Sequence, residues 1–94
     1  KMYVYVPNAF TPDDNKVNET FKPQLLGHQT KNYTFSIFNR WGELLFTTTD
    51  TEEGWDGMYQ GKKVPAGTYV YYVKAQATDS PEAQDFRGSV NIIY

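Results

Sequence analysis

Every patterned stretch of this sequence alternates apolar and polar residues with period two, and none sustains the 3.6-residue period of an amphipathic helix. The chain is therefore confined to short strands with one core face each. Met2, Val4 and Val6 fall on one face with Tyr3 and Tyr5 on the other. Tyr33, Phe35 and Ile37 share a face, as do Leu44 and Phe46. In the longest run, Thr68 to Gln76, Tyr69, Tyr71, Val73 and Ala75 alternate with Val70, Tyr72, Lys74 and Gln76. Phe86, Gly88, Val90, Ile92 and Tyr94 alternate with Arg87, Ser89, Asn91 and Ile93. Phe21 to Leu26 is the weakest candidate, because Pro23 inside it cannot donate to a ladder; it reads as an edge or bulged strand.

Turn chemistry separates these runs. Asn39-Arg40-Trp41-Gly42 lies between two of them, and Asn and Gly tolerate the positive φ of a tight turn, so an antiparallel hairpin is expected. Further turns are expected at Asp56-Gly57, Gln60-Gly61-Lys62, Pro65-Ala66-Gly67 and Asp79-Ser80-Pro81-Glu82. Six or seven strands so punctuated in 94 residues predict a single domain, an immunoglobulin-like antiparallel β-sandwich of about seven strands. With no cysteine available for a crosslink, the core must be built from eight Tyr, six Phe and two Trp. Tyr33, Phe35, Phe46, Tyr69 and Tyr71 are expected to fill it, with Trp41 and Trp55 in loops. Phe38, Leu45, Val70 and Tyr72 are expected to face outward as an apolar strip suited to a partner.

Composition excludes several functions. A net charge of -2, with Lys62-Lys63 as the only adjacent basic pair, lacks the basic stripe that nucleic acid or an anionic membrane surface requires. No apolar run approaches the length of a membrane span, and no signal peptide opens the chain, which is expected to be cut from a longer secreted protein. Without cysteine there is neither a thiolate metal site nor a thiol nucleophile. Catalysis finds little material. The only histidine, His28, is in a loop, and Ser36, Ser80 and Ser89 lie outside any nucleophile-elbow context. Asp50, Glu52, Glu53 and Asp56 would need a cleft to act as a hydrolase pair, and are otherwise a solvated acidic loop.

Two loop groups remain. Asp13, Asn15, Asn18 and Glu19 concentrate oxygen ligands suited to calcium, though Val17 and Asn18 break the EF-hand template; the competing reading is an Asx-type turn. Calcium is the only cofactor candidate. Trp41 and Trp55, with Tyr59, are candidate platforms for a sugar ring, which would make this a carbohydrate-binding or adhesive module. The competing reading folds Trp41 over the core edge and lets Trp55 anchor the Gly54 to Gly57 loop, with Arg40 and Asp56 as a candidate pair across the loops.

The motifs VPNAFTP (6–12), VNETF (17–21), IFNRWGELLF (37–46), GWDG (54–57) and VPAGTYVYYV (64–73) form an ordered set. In that order and spacing the chain resembles the type B C-terminal sorting domain of the type IX secretion system, also described as the gliding-motility-associated C-terminal domain of Bacteroidota surface proteins. The loop at 13–19 departs from the family's N-G-D-G-x-N-D pattern, lacking both glycines. The resemblance implies a non-enzymatic module, attached to N-terminal cargo domains, that passes through the periplasm. There it directs the cargo through the type IX translocon with an SprF-like outer-membrane protein, to the cell surface or medium. Asn39, Arg40, Trp41 and Gly42 in one motif and Trp55, Asp56 and Gly57 in another are the candidate recognition residues.

Overall fold

The computed structural model describes residues 3–12, 20–26 and 29–94. Among them every regular element is a strand: β1 (Tyr3–Tyr5), β2 (Ala9–Phe10), β3 (Gln24–Leu26), β4 (Thr30–Phe38), β5 (Leu44–Thr48), β6 (Met58–Tyr59), β7 (Lys62–Lys63), β8 (Gly67–Ala77) and β9 (Ala83–Ile92). The chain is thus all-β, as the alternation predicts, and among the described residues no helix is long and apolar enough to cross a membrane.

The principal sheet has five strands in the order β2-β9-β8-β4-β5. β8 and β9 pair antiparallel from Gly67↔Ile92 to Gln76↔Ala83, and β4 pairs antiparallel with both β8 and β5. The expected hairpin on either side of Asn39–Gly42 is therefore formed. β2 is the exception in this sheet: Ala9 and Phe10 run parallel to Asn91 and Ile92, held where the Asn91 and Ile93 amides donate to the Asn8 and Phe10 carbonyls. The opposing layer is made of short pieces. β1 pairs antiparallel with β3, Phe21 and Trp55 form an isolated antiparallel bridge, and β6 pairs with β7. Gln60 and Gly61 between β6 and β7 both have positive φ (54° and 82°), as a type I′ two-residue turn requires. The segment around Pro23 is accordingly split into a bridge and a three-residue edge strand.

Two bulges modify the simple alternation. From Lys31↔Gln76 to Thr34↔Lys74, three steps on β4 face two on β8, and Asn32 takes up the difference at φ 54° while its amide donates to Gln76 Oε1 at 2.8 Å. From Ile37↔Phe46 to Phe38↔Leu44, two steps on β5 face one on β4. Leu45 and Phe46 consequently both pack against the core, while Leu44 is left exposed and does not share the face of Phe46.

The core lies between the layers. Phe35, Ile37, Val73, Ala75 and Val90 are fully buried on the inner face of the large sheet, with Tyr33 and Tyr69 close behind. Ring packing runs without a break from Phe46 to Phe35, Phe21, Phe10, Trp55 and Tyr69, with successive centroids 5.9, 5.8, 5.9, 6.4 and 5.8 Å apart. Each such pair adds about 0.5–1.5 kcal/mol beyond the area it buries. Trp55 lies on this path between Phe10 and Tyr69 and is 1% exposed, so it is a core residue rather than a loop aromatic. Phe46 and Tyr71 pack against the cluster but are only partly buried. Tyr94 leaves the β9 alternation altogether: the strand ends at Ile92 and the ring is exposed.

The outer face of the large sheet is less open than alternation implies. Phe38, Val70 and Tyr72 are half-buried by their neighbours, Arg87 stacks its guanidinium 5.3 Å from the Tyr72 ring, and Leu45 is turned toward the core by the bulge.

Candidate functional site

The tip of the β4–β5 hairpin is built around one side chain. Asn39 Oδ1 accepts from the Trp41 and Glu43 amides, both at 2.9 Å, and its own amide donates to Glu43 Oε1 at 2.9 Å. The Gly42 amide donates to the Asn39 carbonyl at 3.0 Å, closing a four-residue turn with Arg40 and Trp41 at its corner. Gly42 alone takes the positive φ, 85°; Asn39 serves through its side chain and not through its backbone freedom. A turn tied this way presents Trp41 outward. Its ring is 80% exposed, so it does not fold over the core edge, and Arg40 lies over it with the guanidinium carbon 4.9 Å from the ring centroid.

Behind the tip is a groove of about 270 Å³. The hairpin residues Asn39 to Trp41 form one side, the segment from Val64 to Tyr69 forms the other, and Leu45 and Tyr59 complete it. Its walls are tied together. The Tyr59 hydroxyl donates to Glu43 Oε2 at 3.0 Å, joining β6 to the hairpin, and that bond to a carboxylate is the first cause holding the Tyr59 phenol above its ordinary pKa. The Tyr69 hydroxyl donates to the Pro65 carbonyl at 2.6 Å and the Tyr94 hydroxyl to the Val64 carbonyl at 2.7 Å. The Tyr69 phenol is raised by burial and then by Tyr94, with the nearby Arg40 charge pulling the other way.

The second motif is under the groove, not in it. Trp55 packs against Tyr69, exchanges backbone hydrogen bonds with Phe21 at 2.8 and 2.9 Å, and donates its indole N–H to the Met58 carbonyl at 3.1 Å. Asp56 is exposed and accepts from the Met58 amide. Gly57 is buried at φ 80°, its carbonyl accepts from Val64, and a Cβ there would come within 2.8 Å of Pro12. The two tryptophans therefore do not form a pair of sugar platforms, and Arg40 and Asp56 do not pair with each other.

Of the acidic group, Asp50 accepts from the Glu52 amide, Glu53 from the Thr48 hydroxyl, and Glu52 pairs with Lys22 at 3.5 Å. Asp50 and Glu53 are thus engaged within their own loop and Glu52 by Lys22 from the segment facing it, and no two of these carboxylates share a partner. Among the described residues no three His, Asp or Glu side chains gather as a metal site. The candidate calcium ligands Asp13, Asn15, Asn18 and Glu19, and His28, lie outside the described residues. The sequence pointed to the hairpin tip and to the VPAGTYV segment separately. It did not signal that Glu43 and Tyr59 join them into one groove, because that contact depends on where the two-residue strand β6 comes to rest.

A family model, the CHU_C type IX secretion signal domain, matches residues 4–92. No curated protein and no solved structure gives a significant match.

Proposed function

The chain belongs to the type IX secretion signal domain family, and from that premise we propose that it is the non-catalytic sorting module of a larger exported protein. It crosses the periplasm folded, and at the outer membrane it is read by the type IX translocon together with an SprF-like outer-membrane protein. The cargo continues to the cell surface or medium. The reading surface is the hairpin tip with its groove. What supports this is Trp41: a large apolar ring, 80% exposed, held out by a turn in which the Trp41, Gly42 and Glu43 amides are all bonded to Asn39. A rigid, solvent-facing aromatic beside a concave surface is the form that binding hot spots take. Asp56, Gly57 and Trp55 support that surface from below.

The test is export of a reporter fused ahead of residues 1–94 in a host carrying the secretion system. Trp41→Ala is expected to leave the domain folded, by circular dichroism and melting temperature, and to reduce export at least several-fold. Normal export of the folded variant would overturn the assignment of the surface.

A further inference from the structure

The groove is unbalanced in its hydrogen-bonding chemistry. The carboxylate and amide oxygens of its side chains are already in use: Asn39 Oδ1 holds two amides, and the two Glu43 oxygens take the Asn39 amide and the Tyr59 hydroxyl. The Pro65 and Val64 carbonyls accept from tyrosines. What is left over is donors. The Arg40 guanidinium rests on an aromatic face and pairs with no carboxylate among the described residues, and the Trp41 indole N–H donates to none of them. Lys62 and Lys63, both exposed, lead directly into the Val64 wall, with Lys63 5.5 Å from the Tyr94 ring centroid. Glu43, whose two partners are neutral, is the one carboxylate in the groove's lining, and Arg40 within it with Lys62 and Lys63 beside it outnumber that charge; none of the three cations is in a salt bridge with a carboxylate among the described residues, in a chain whose net charge is -2.

We propose that this groove receives an extended segment of the outer-membrane export partner in which an Asp or Glu side chain stands beside an apolar ring. The carboxylate pairs with Arg40, whose planar fork presents two parallel donors to it, and the ring packs on Trp41 and the Tyr59–Tyr69 wall. At about 270 Å³ the groove is smaller than the roughly 300–1,000 Å³ typical of small-molecule sites and admits one or two side chains. This inference rests on the reading of the hairpin tip as the recognition surface and adds the chemistry of what it recognises.

The probe is a capped tripeptide, acetyl-Phe-Asp-Phe-amide, titrated into the isotope-labelled chain beside its Asn counterpart. The Asp peptide is expected to bind about five- to tenfold more tightly, the low end for a charge-assisted pair that stays partly in water. It should move the Trp41 indole N–H and Arg40 side-chain resonances, and the preference should vanish in Arg40→Glu and diminish as salt rises. Equal binding of the two peptides, or shifts elsewhere on the surface, would overturn the proposal. Export separates it from the reading beneath it. Loss in both Trp41→Ala and Arg40→Glu, with partial retention in Arg40→Lys, supports both. Loss in Trp41→Ala alone overturns the acidic partner and leaves the surface standing, and normal export of both overturns the surface itself.

Discussion

Trp41 and Trp55 occupy equally prominent motifs, and the structure predicts opposite consequences for replacing them. Trp55 is 1% exposed, packs on Phe10 and Tyr69, and donates to the Met58 carbonyl. Trp55→Ala should cost about 3–5 kcal/mol, the range for a buried aromatic truncated to alanine. Against a total of about 5–15 kcal/mol for a natural domain, that brings the chain close to unfolding. Trp55→Phe is the more useful variant, because it keeps a ring in the path. It loses the indole hydrogen bond, leaves the Met58 carbonyl short of a partner and opens a small void, together costing about 1.5–3 kcal/mol. In a chain of this size each kcal/mol lowers the melting temperature by about 4–8 °C, so a fall of roughly 10 °C is expected. Trp41→Phe loses only an exposed contact with Arg40 and should change stability by no more than about 1 kcal/mol.

Urea denaturation and thermal melting of the two Phe variants measure this directly. Each also leaves a single tryptophan, so acrylamide quenching reports on the same assignment independently: Trp55 alone should be protected, and Trp41 alone should be freely quenched. If the two were quenched alike, or if Trp41→Phe cost as much stability as Trp55→Phe, the division between an exposed recognition residue and a buried support would be wrong.

The glycines of the same two motifs give a parallel test. Gly42→Ala meets nothing within 4 Å and should cost only the left-handed backbone strain, about 1 kcal/mol, whereas Gly57→Ala adds a contact at 2.8 Å with buried Pro12 and should cost about 2–4 kcal/mol by denaturant midpoint. Asn39→Ala removes three hydrogen bonds from the hairpin tip and should destabilise by about 1–2 kcal/mol, with faster hydrogen exchange at the Trp41 and Glu43 amides, while Asn39→Asp keeps the two acceptor bonds. Tyr33 is buried and its hydroxyl has no hydrogen-bond partner among the described residues, so Tyr33→Phe should be neutral or stabilising by up to about 1 kcal/mol in the same assay. Burial first, and then the Asp50 charge, raise the Tyr33 phenol, so the folded state keeps a proton that the unfolded chain gives up near pH 10. The stability this contributes is complete below that pH and falls as pH rises above it, and a melting series should show a shallower alkaline loss for Tyr33→Phe than for the parent chain.

Much of this architecture was legible because burial follows strand alternation wherever a strand pairs regularly. Tyr33, Phe35 and Ile37 on β4, and Tyr69 and Val73 on β8, lie where period two places them. The departures each have a local cause that alternation does not encode. One extra residue on β5 opposite Phe38 moved Leu45 inward and Leu44 outward. The parallel pairing of Ala9 and Phe10 with β9 involves only two residues, too few to leave a pattern, yet it delivers Phe10 to the core. Trp55 was harder still. Its local sequence, between glycines, reads as a loop; what buries it is the bridge to Phe21, and no signal near residue 55 announces a partner near residue 21.

That distinction bears on what the family motifs encode. Most of them meet beneath the groove rather than in it. VPNAFTP supplies Phe10 to the ring path and Pro12 to the Gly57 contact, V-N-E-T-F supplies Phe21, and GWDG supplies Trp55, while VPAGTYV supplies one wall and Tyr69. Only IFNRWGELLF places an exposed ring at the rim. The groove is assembled from segments between Asn39 and Tyr69, fastened by Tyr59 to Glu43 and by Tyr94 to Val64, and supported on rings as distant in sequence as Phe10. No short peptide cut from the chain contains it. On the proposed reading, a partner that binds the groove detects the folded state itself, and with no cysteine in the chain that state depends on the aromatic path from Phe46 to Tyr69. The motifs that identify the family are then largely the conditions for presenting the signal, and the signal proper is the small part that they hold up to solvent.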